Sequence, residues 1–491
     1  MQISQPLMLN SMIWIPFIAA AIIGFWPGKP SAARLRVGAG GVALFIFVLS
    51  IVWAFSIDSD VAGFQSETIV PWLPKIGLSY HLGVDGISLP LVLLNTLVTV
   101  LVLYASSTNI PRPQLYYSLL LLIEGGVNGA FLAQDLLLFF LFYEVELVPL
   151  YLLIGIWGGE RRGYAATKFL IYTAISGALV FVSFIGVEAL SGAHSFDYNP
   201  TLSAQLPLAQ QSLLLSVVLV AFAIKAPIFP LHTWLPDAHV EASTPVSMIL
   251  AGVLLKLGTY GLLRFGLGLF PDAWHLFAPW LAALAVVSTL YGSLNAIVQQ
   301  DMKKLVAYSS IGHMGYILLA LAAGTPLSLL GAVYQMVSHG LISALLFLVV
   351  GFVYSRTGTR DLGILRGLLT PERGLPLVGT LMILGVMASS GLPGMMGFVA
   401  EFMIFRGSFL TFPRMTLLCM VGTGLTSVYF LLLVNRAFFG RLIPAFARME
   451  RVQRWEHLPG LVLALLIVLF GIQPQWLVGW SEVAVNTLSQ S

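Results

Sequence analysis

The chain has 491 residues, 58% of them hydrophobic and only 9% charged, with a net charge of +3. A water-soluble domain carries about 25% charged residues, so this composition excludes an ordinary soluble globule and places the chain in a membrane. The small, dispersed positive excess gives no support to nucleic acid as a partner. A lone cysteine, Cys419, cannot hold an iron–sulfur cluster, which takes about four, nor form an internal disulfide.

Apolar runs of the about 20 residues that a bilayer demands follow one another along the chain. They fall near 8–27, 35–56, 84–106, 115–133, 135–156, 165–191 and 210–230, then near 241–267, 275–298, 304–323, 326–354, 375–405, 413–436 and 457–480. The first, from about Met8 to Trp26, lacks a charged start and a small-residue cleavage site before Pro27. It therefore reads as a span and not as a cleaved signal. The prediction is an all-α polytopic membrane protein of about 14 transmembrane helices, with no soluble domain in the connections 57–83 and 191–209.

Charge placement tests that count. With the N-terminus outside, alternate connections hold Lys29, Arg34 and Arg36; Arg112; Arg161, Arg162 and Lys168; Lys303 and Lys304; Arg356, Arg360, Arg366 and Arg373; and five arginines from Arg436 to Arg454. Together these are 18 of the 24 basic residues. The opposite face has only Lys75, Arg264, Arg406 and Arg414. Both termini are thus expected on the outer, lumenal or periplasmic, side.

An ionisable group in mid-span costs about 2.5–3.5 kcal/mol on insertion scales, so each one invites a functional reading. Asp85, Glu124 and Asp135 are weaker candidates, although the glycines beside Glu124 permit close helix contact. Glu144 lies in the run Asp135–Leu153, with Glu146 two residues on. Two residues turn a helix by about 200°, so the two carboxylates are expected to face different ways, and Glu144, nearer the centre, is the primary candidate. The bland alternative is a carboxyl neutralised by a structural hydrogen bond.

Lys225 is followed at once by Pro227 and Pro230, and proline breaks or kinks a helix. A broken helix at membrane depth is tolerated where it lines protein or a wet cavity. A lysine there is poised to gain or lose a proton as a neighbouring carboxylate changes; alternatively it snorkels to the nearby face. Lys256 sits mid-span, where snorkelling is harder. His313, with Ser309 and Tyr316, and His339, with Gln335 and Ser338, extend the polar series, either as relays or as satisfied core residues. Glu401 follows a second breaker, Gly391-Leu392-Pro393-Gly394. Two interrupted helices in matching positions of two halves point to inverted repeats. His232, Asp237 and His239 lack metal-site spacing, and no metal is expected. No glycine-rich dinucleotide fingerprint follows a plausible strand.

The segments FYEVELVPLYLLIGIWGG, KAPIFPLHTWLPDAHVEASTPVSMILAGVLLKLG, KKLVAYSSIGHMGYILL, QMVSHGLISALLF and GLPGMMGFVAEF closely resemble the antiporter-like subunits of complex I, and more narrowly its subunit 4 (chain M). The resemblance covers about Trp72 to Phe405. It implies a proton pump driven by quinone reduction elsewhere, with Glu144, Lys225, Lys256, His339 and Glu401 on the central axis and His313 a less firmly assigned relay. It implies flanking spans over 1–110, a first inverted five-helix repeat over 111–267, a second over 268–436 and a last span within 437–491. The Glu144-Val145-Glu146 doublet and the run from Trp157 to Arg162 resemble the cyanobacterial and plastid NAD(P)H-quinone oxidoreductase form. That form uses plastoquinone and ferredoxin-supplied electrons in thylakoids, and some cyanobacterial versions serve carbon dioxide uptake.

The resemblance also implies no cofactor in this chain. Quinone, iron–sulfur clusters and any flavin are expected in partner subunits, among them antiporter-like sister chains. The expected mechanism pairs Glu144 with Lys225, parts them on a signal from a neighbour, and passes the proton by Lys256 and the histidines to Glu401. The rival reading is a subunit of a multi-chain sodium/proton antiporter, which shares these motifs. A thylakoid membrane is favoured, a bacterial inner membrane otherwise.

Overall fold

The computed structural model describes residues 5–28 and 30–490; Lys29, counted above among the connection cations, lies outside them. Among the described residues, 13 helices are long and apolar enough to cross a membrane. The first two are α1 (Gln5–Gly24) and α2 (Ala32–Ala54). A hairpin, β1 (Gln65–Leu73) and β2 (Leu78–Val84), comes next. Then follow α3 (Ser88–Ala105), α4 (Pro113–Leu132), α5 (Leu136–Val145) with α6 (Leu147–Trp157), α7 (Arg162–Ser191) and α8 (Leu208–Lys225). A short α9 (Trp234–Glu241) leads to α10 (Thr244–Leu267), α11 (Pro271–Val298), α12 (Met302–Ala323) and α13 (Pro326–Thr357). The chain ends with α14 (Pro376–Ser389), α15 (Met396–Phe409), α16 (Pro413–Ala437), α17 (Leu458–Ile472) and α18 (Gln475–Leu488).

The difference between 13 and the expected 14 has one cause. The run 375–405 is interrupted, so α14 and α15 have 14 residues each. Fourteen residues rise about 21 Å, short of the about 30 Å of hydrocarbon. Together the two halves make the missing span. Pro393 cannot donate to the ladder, and Gly391 and Gly394 turn the chain at φ of 71° and 89°.

Two more interruptions matter. Helix α8 stops at Lys225, because Pro227 and Pro230 offer no amide to continue it. Helix α5 gives way to α6 at Glu146, where Pro149 lacks the N–H that would reach the Val145 carbonyl. Helix α10 instead runs through, but with wide i→i+5 turns over Leu250–Leu254 and Leu262–Leu267, a feature frequent at functional sites.

The connection 57–83 is not a plain loop. β-branched Thr68, Ile69 and Val70 pair with His81 and its neighbours in an antiparallel ladder, and the Gln134 amide at the α4–α5 junction donates to the His81 carbonyl at 2.8 Å.

The chain divides into two compact units. The first comprises 5–226, 253–279 and 479–490; in it α1 lies on α4, α2 on α3, and α7 on α8. The second comprises 227–252 and 280–478, and in it α13 is sandwiched by α12, α14, α15 and α17. Helices α10, α12 and α13 are buried almost throughout, whereas α1 and α17 bury about a third of their apolar window. Their exposed faces carry Trp14, Ile18, Ile22, Leu461 and Leu465, a surface that suits lipid and not water.

Candidate functional site

Each unit buries its own set of ionisable groups. In the first, Lys225 ends α8 and is 2% exposed; a cation is favoured at a helix C-terminus, where the dipole is negative. Its ammonium contacts the carboxylate of fully buried Glu146 and lies 4.6 Å from the centre of the Tyr143 ring. The Tyr143 hydroxyl donates to Ser176 Oγ at 2.7 Å, and Ser176 donates to the Ala221 carbonyl at 2.7 Å. That chain ties α5, α7 and α8 together one turn before Lys225.

This corrects the expected pairing. The carboxylate in contact with Lys225 is Glu146, not Glu144. The 200° argument assumed an unbroken helix, and the ladder is interrupted at Glu146 itself. Glu144 is half-buried and lies against α7, where a Cβ on Gly177 would stand 1.9 Å from its Oε1. It nevertheless remains within electrostatic range of Lys225, so the lysine answers to two carboxylates.

Lys256 is fully buried on α10. Two residues further on, a Cβ on Gly258 would stand 2.5 Å from the Ala226 amide nitrogen and 2.9 Å from the Lys225 carbonyl carbon. Only glycine lets α10 approach the end of α8 this closely, and the approach sets the helix of Lys256 beside that of Lys225. Glu124 is fully buried on α4, and its two carboxylate oxygens have no hydrogen-bond partner among the described residues.

In the second unit, His313, His339 and Glu401 come together from α12, α13 and α15. His313 Nδ1 lies 2.7 Å from the Ser309 carbonyl, and its Nε2 lies 3.3 Å from the Ser389 carbonyl and 3.9 Å from Glu401 Oε1. The His313 and His339 rings are 5.5 Å apart. Thr423 donates to Glu401 Oε2 at 2.9 Å, and the Tyr316 hydroxyl lies 3.2 Å from Thr423. A void of about 10 Å³ is lined by His313, Ser338, His339, Ser389 and Glu401, at the lower limit for one water molecule.

Sequence reasoning missed several partners, and no local signal would have found them. Arg264, assigned to the outer connections, is instead buried in an ion pair with Asp85 at 2.5 Å, although 179 positions separate the two. Asp85 also accepts from the Ile87 and Ser88 amides at the start of α3. Lys303, assigned to a connection, is buried too. Its ammonium donates to the Ala242 carbonyl at 2.6 Å and to Ser247 Oγ at 3.2 Å.

Residues 133–426 match the family model described as NADH:quinone oxidoreductase/Mrp antiporter, TM. NAD(P)H-quinone oxidoreductase chain 4-2 of a Synechocystis strain is 44% identical over 451 residues, 90% of this chain and 80% of the relative. Chain 4-3 of a Nostoc strain is 44% identical over 440 residues, 88% of this chain and 78% of the relative. Among solved structures, a chain of respiratory complex I from Thermus thermophilus superposes with a TM-score of 0.88 at 27% identity, covering 98% of this chain and 99% of that one. A chain of the Mrp complex from a Dietzia strain gives 0.89 at 21% identity, covering 100% and 98%, a likeness of fold. A protein with this span count, these interrupted helices and these matches belongs to the antiporter-like membrane-subunit family common to NADH:quinone oxidoreductases and Mrp antiporters.

Proposed function

We propose that this chain is the proton-translocating membrane subunit of an NAD(P)H- or ferredoxin-driven quinone oxidoreductase. Quinone, iron–sulfur clusters and any flavin then belong to partner subunits. The 44% identity to cyanobacterial proteins named NAD(P)H-quinone oxidoreductase chain 4 supports a thylakoid setting, and the excess of basic residues in alternate connections supports both termini on the lumenal side.

The observation that carries the reading is Lys225, an ammonium at a helix break held by a buried carboxylate. Two unit charges about 4 Å apart attract by about 4 kcal/mol at an effective dielectric constant of 20. A movement driven by a neighbouring subunit that parts Lys225 from Glu146 therefore supplies several kcal/mol toward releasing the lysine's proton. Glu144 sets the residual field, and Lys256 is the next base along. In the second unit, His313 and His339 pass a proton through the small void to Glu401. The test is the Lys225→Met variant of the intact complex, with quinone reduction and proton uptake measured together. Quinone reduction should continue with fewer protons moved per electron pair; full stoichiometry from a correctly assembled variant ends the proposal.

The match in fold to an Mrp complex favours a second reading, a subunit of a multi-chain sodium/proton antiporter. Copurification separates the two, since iron–sulfur proteins accompany an oxidoreductase subunit and not an antiporter.

A further inference from the structure

A cavity of about 940 Å³ lies in the second unit, between the N-terminal end of α13, α15 and the first turns of α16. Its walls are apolar: Phe398, Phe402, Phe405 and Leu417 among them, with Glu401 and Thr423 at the floor and Arg406 at the rim. Phe402, Leu410 and Leu417 are exposed on its lips. The cavity is therefore greasy along its length, polar at one point in its depth and basic at its mouth.

The mouth is unusual in charge. Arg406, in the last turn of α15, and Arg414, in the first turn of α16, are both exposed. Neither forms an ion pair among the described residues. Helices α13 and α16 both begin here, at Pro326 and Pro413, and helix N-termini carry partial positive charge. No acidic side chain of the α15–α16 turn offsets them: residues 407–413 contain none.

We propose that this groove binds one anionic phospholipid, with its phosphate between Arg406 and Arg414 and an acyl chain lying along α15 over Glu401. Charge separates this occupant from a transmembrane helix of a neighbour. The greasy wall ends at Arg406 and at the N-terminus of α13, with no acid in the following turn, an arrangement that suits a phosphate above an acyl chain. Arg406, which lines the groove, suits a phosphate, because a planar guanidinium binds phosphate oxygens bidentately, and exposed Arg414 lies one helical turn before the lining residue Leu417. The chain would also keep bulk water from the open side of Glu401 and Thr423.

The test reads lipid binding itself, so it stands or falls apart from the proton-transfer reading. The intact complex, stripped of lipid in neutral detergent, is incubated with phosphatidylglycerol or with phosphatidylcholine of the same chains, and native mass spectrometry counts the lipids held by this subunit. One phosphatidylglycerol should be retained at least tenfold in preference to phosphatidylcholine. The double variant Arg406→Gln with Arg414→Gln should lose the preference, and Leu417→Trp, which fills the groove, should lower retention of both lipids. Equal retention of the two lipids, or unchanged retention in the double glutamine variant, overturns the proposal. So does a photo-reactive side chain at Leu410 that captures a neighbouring subunit in place of lipid.

Discussion

The two buried clusters solve the same problem in opposite ways. In the first unit, formal charges touch: Lys225 contacts Glu146, with Glu144 close behind and Tyr143 beneath. In the second unit the carboxylate of Glu401 meets a hydroxyl at 2.9 Å and an imidazole at 3.9 Å, with a void the size of one water between the histidines and the acid. Opposite charges in contact take work to separate; spaced groups beside a water-sized void take little and suit proton passage. The first kind of site suits the proposed coupling element and the second the proposed relay. Breaking each cluster should therefore give a different phenotype.

The largest effect is expected at the contact pair. Lys225→Met removes the proposed proton carrier and should abolish this chain's share of pumping. Glu146→Gln should do the same, and each single change should also cost assembly, because removing one partner of a buried pair leaves the other uncompensated, a loss of about 3–5 kcal/mol. Less assembled complex should appear on native gels. The double variant Lys225→Met with Glu146→Met removes both charges and should recover assembly without recovering pumping. If Glu146→Gln assembles and pumps normally, the contact pair is not the coupling element.

Glu144 sharpens the same comparison. Glu144→Gln should assemble, since the carboxylate is half-buried and makes no contact pair, yet lose most of its pumping through the altered field on Lys225. Gly177→Ala tests this without a change of charge. Its new Cβ would fall 1.9 Å from Glu144 Oε1 and must push that flexible carboxylate aside, so pumping should fall several-fold with assembly intact. Gly258→Ala presses on backbone, not on a side-chain tip, and should cost assembly instead.

In the second cluster the effects should be milder and free of assembly defects. Glu401→Gln is expected to slow proton transfer about tenfold, and Thr423→Val a few-fold, both read as protons moved per electron pair. An assembly defect in Glu401→Gln would show that this acid carries a structural charge after all, and would erase the contrast between the clusters.

Much of this was legible in the sequence because hydrocarbon leaves so few options. Spans had to be about 20 apolar residues, so the helix series could be read directly, and the breaks announced themselves in Pro227, Pro230 and Pro393. Lys225, Lys256, His313, His339 and Glu401 stood out as ionisable groups in apolar runs, and they are all buried. What stayed hidden depended on pairings distant in sequence. Nothing near Arg264 says that Asp85 neutralises it, so it looked like one more connection cation. Nothing near Lys303 says that the Ala242 carbonyl and Ser247 cover it. The choice between Glu144 and Glu146 turned on one missing hydrogen bond at Pro149, a backbone detail that a uniform 100° rotation per residue cannot carry.

A third group of charges, at the hairpin, supplies the control for both clusters because it is open to water. His81 Nδ1 lies 3.0 Å from Asp197 Oδ1, with Glu67 at 3.9 Å from Nε2 and Asp135 on the adjoining helix end. The hydrogen bond to Asp197 holds the imidazole above its ordinary value, while the hydrogen bond to His81 holds the Asp197 carboxyl below its own. A raised histidine contributes stability that is complete below its unfolded value near 6.5 and is lost as pH rises through the folded one; a depressed aspartate contributes above about 3.9 and fades as pH falls. The pair is therefore at its strongest between roughly pH 4 and 6.5. Asp197 is 46% exposed, so solvent screening keeps the effect small. Hydrogen exchange at the Gln134 and Phe196 amides, which bond to the His81 and Gly77 carbonyls, should be slower at pH 5.5 than at pH 8 once corrected for intrinsic rates. His81→Gln should remove that difference. The buried pair should not follow bulk pH in this way, because proton exchange at Lys225 waits on the movement that opens its contact with Glu146. If amides around Lys225 and those of the hairpin respond to pH alike, the buried cluster is as wet as the surface one, and parting its ion pair changes the lysine's hold on its proton too little to couple.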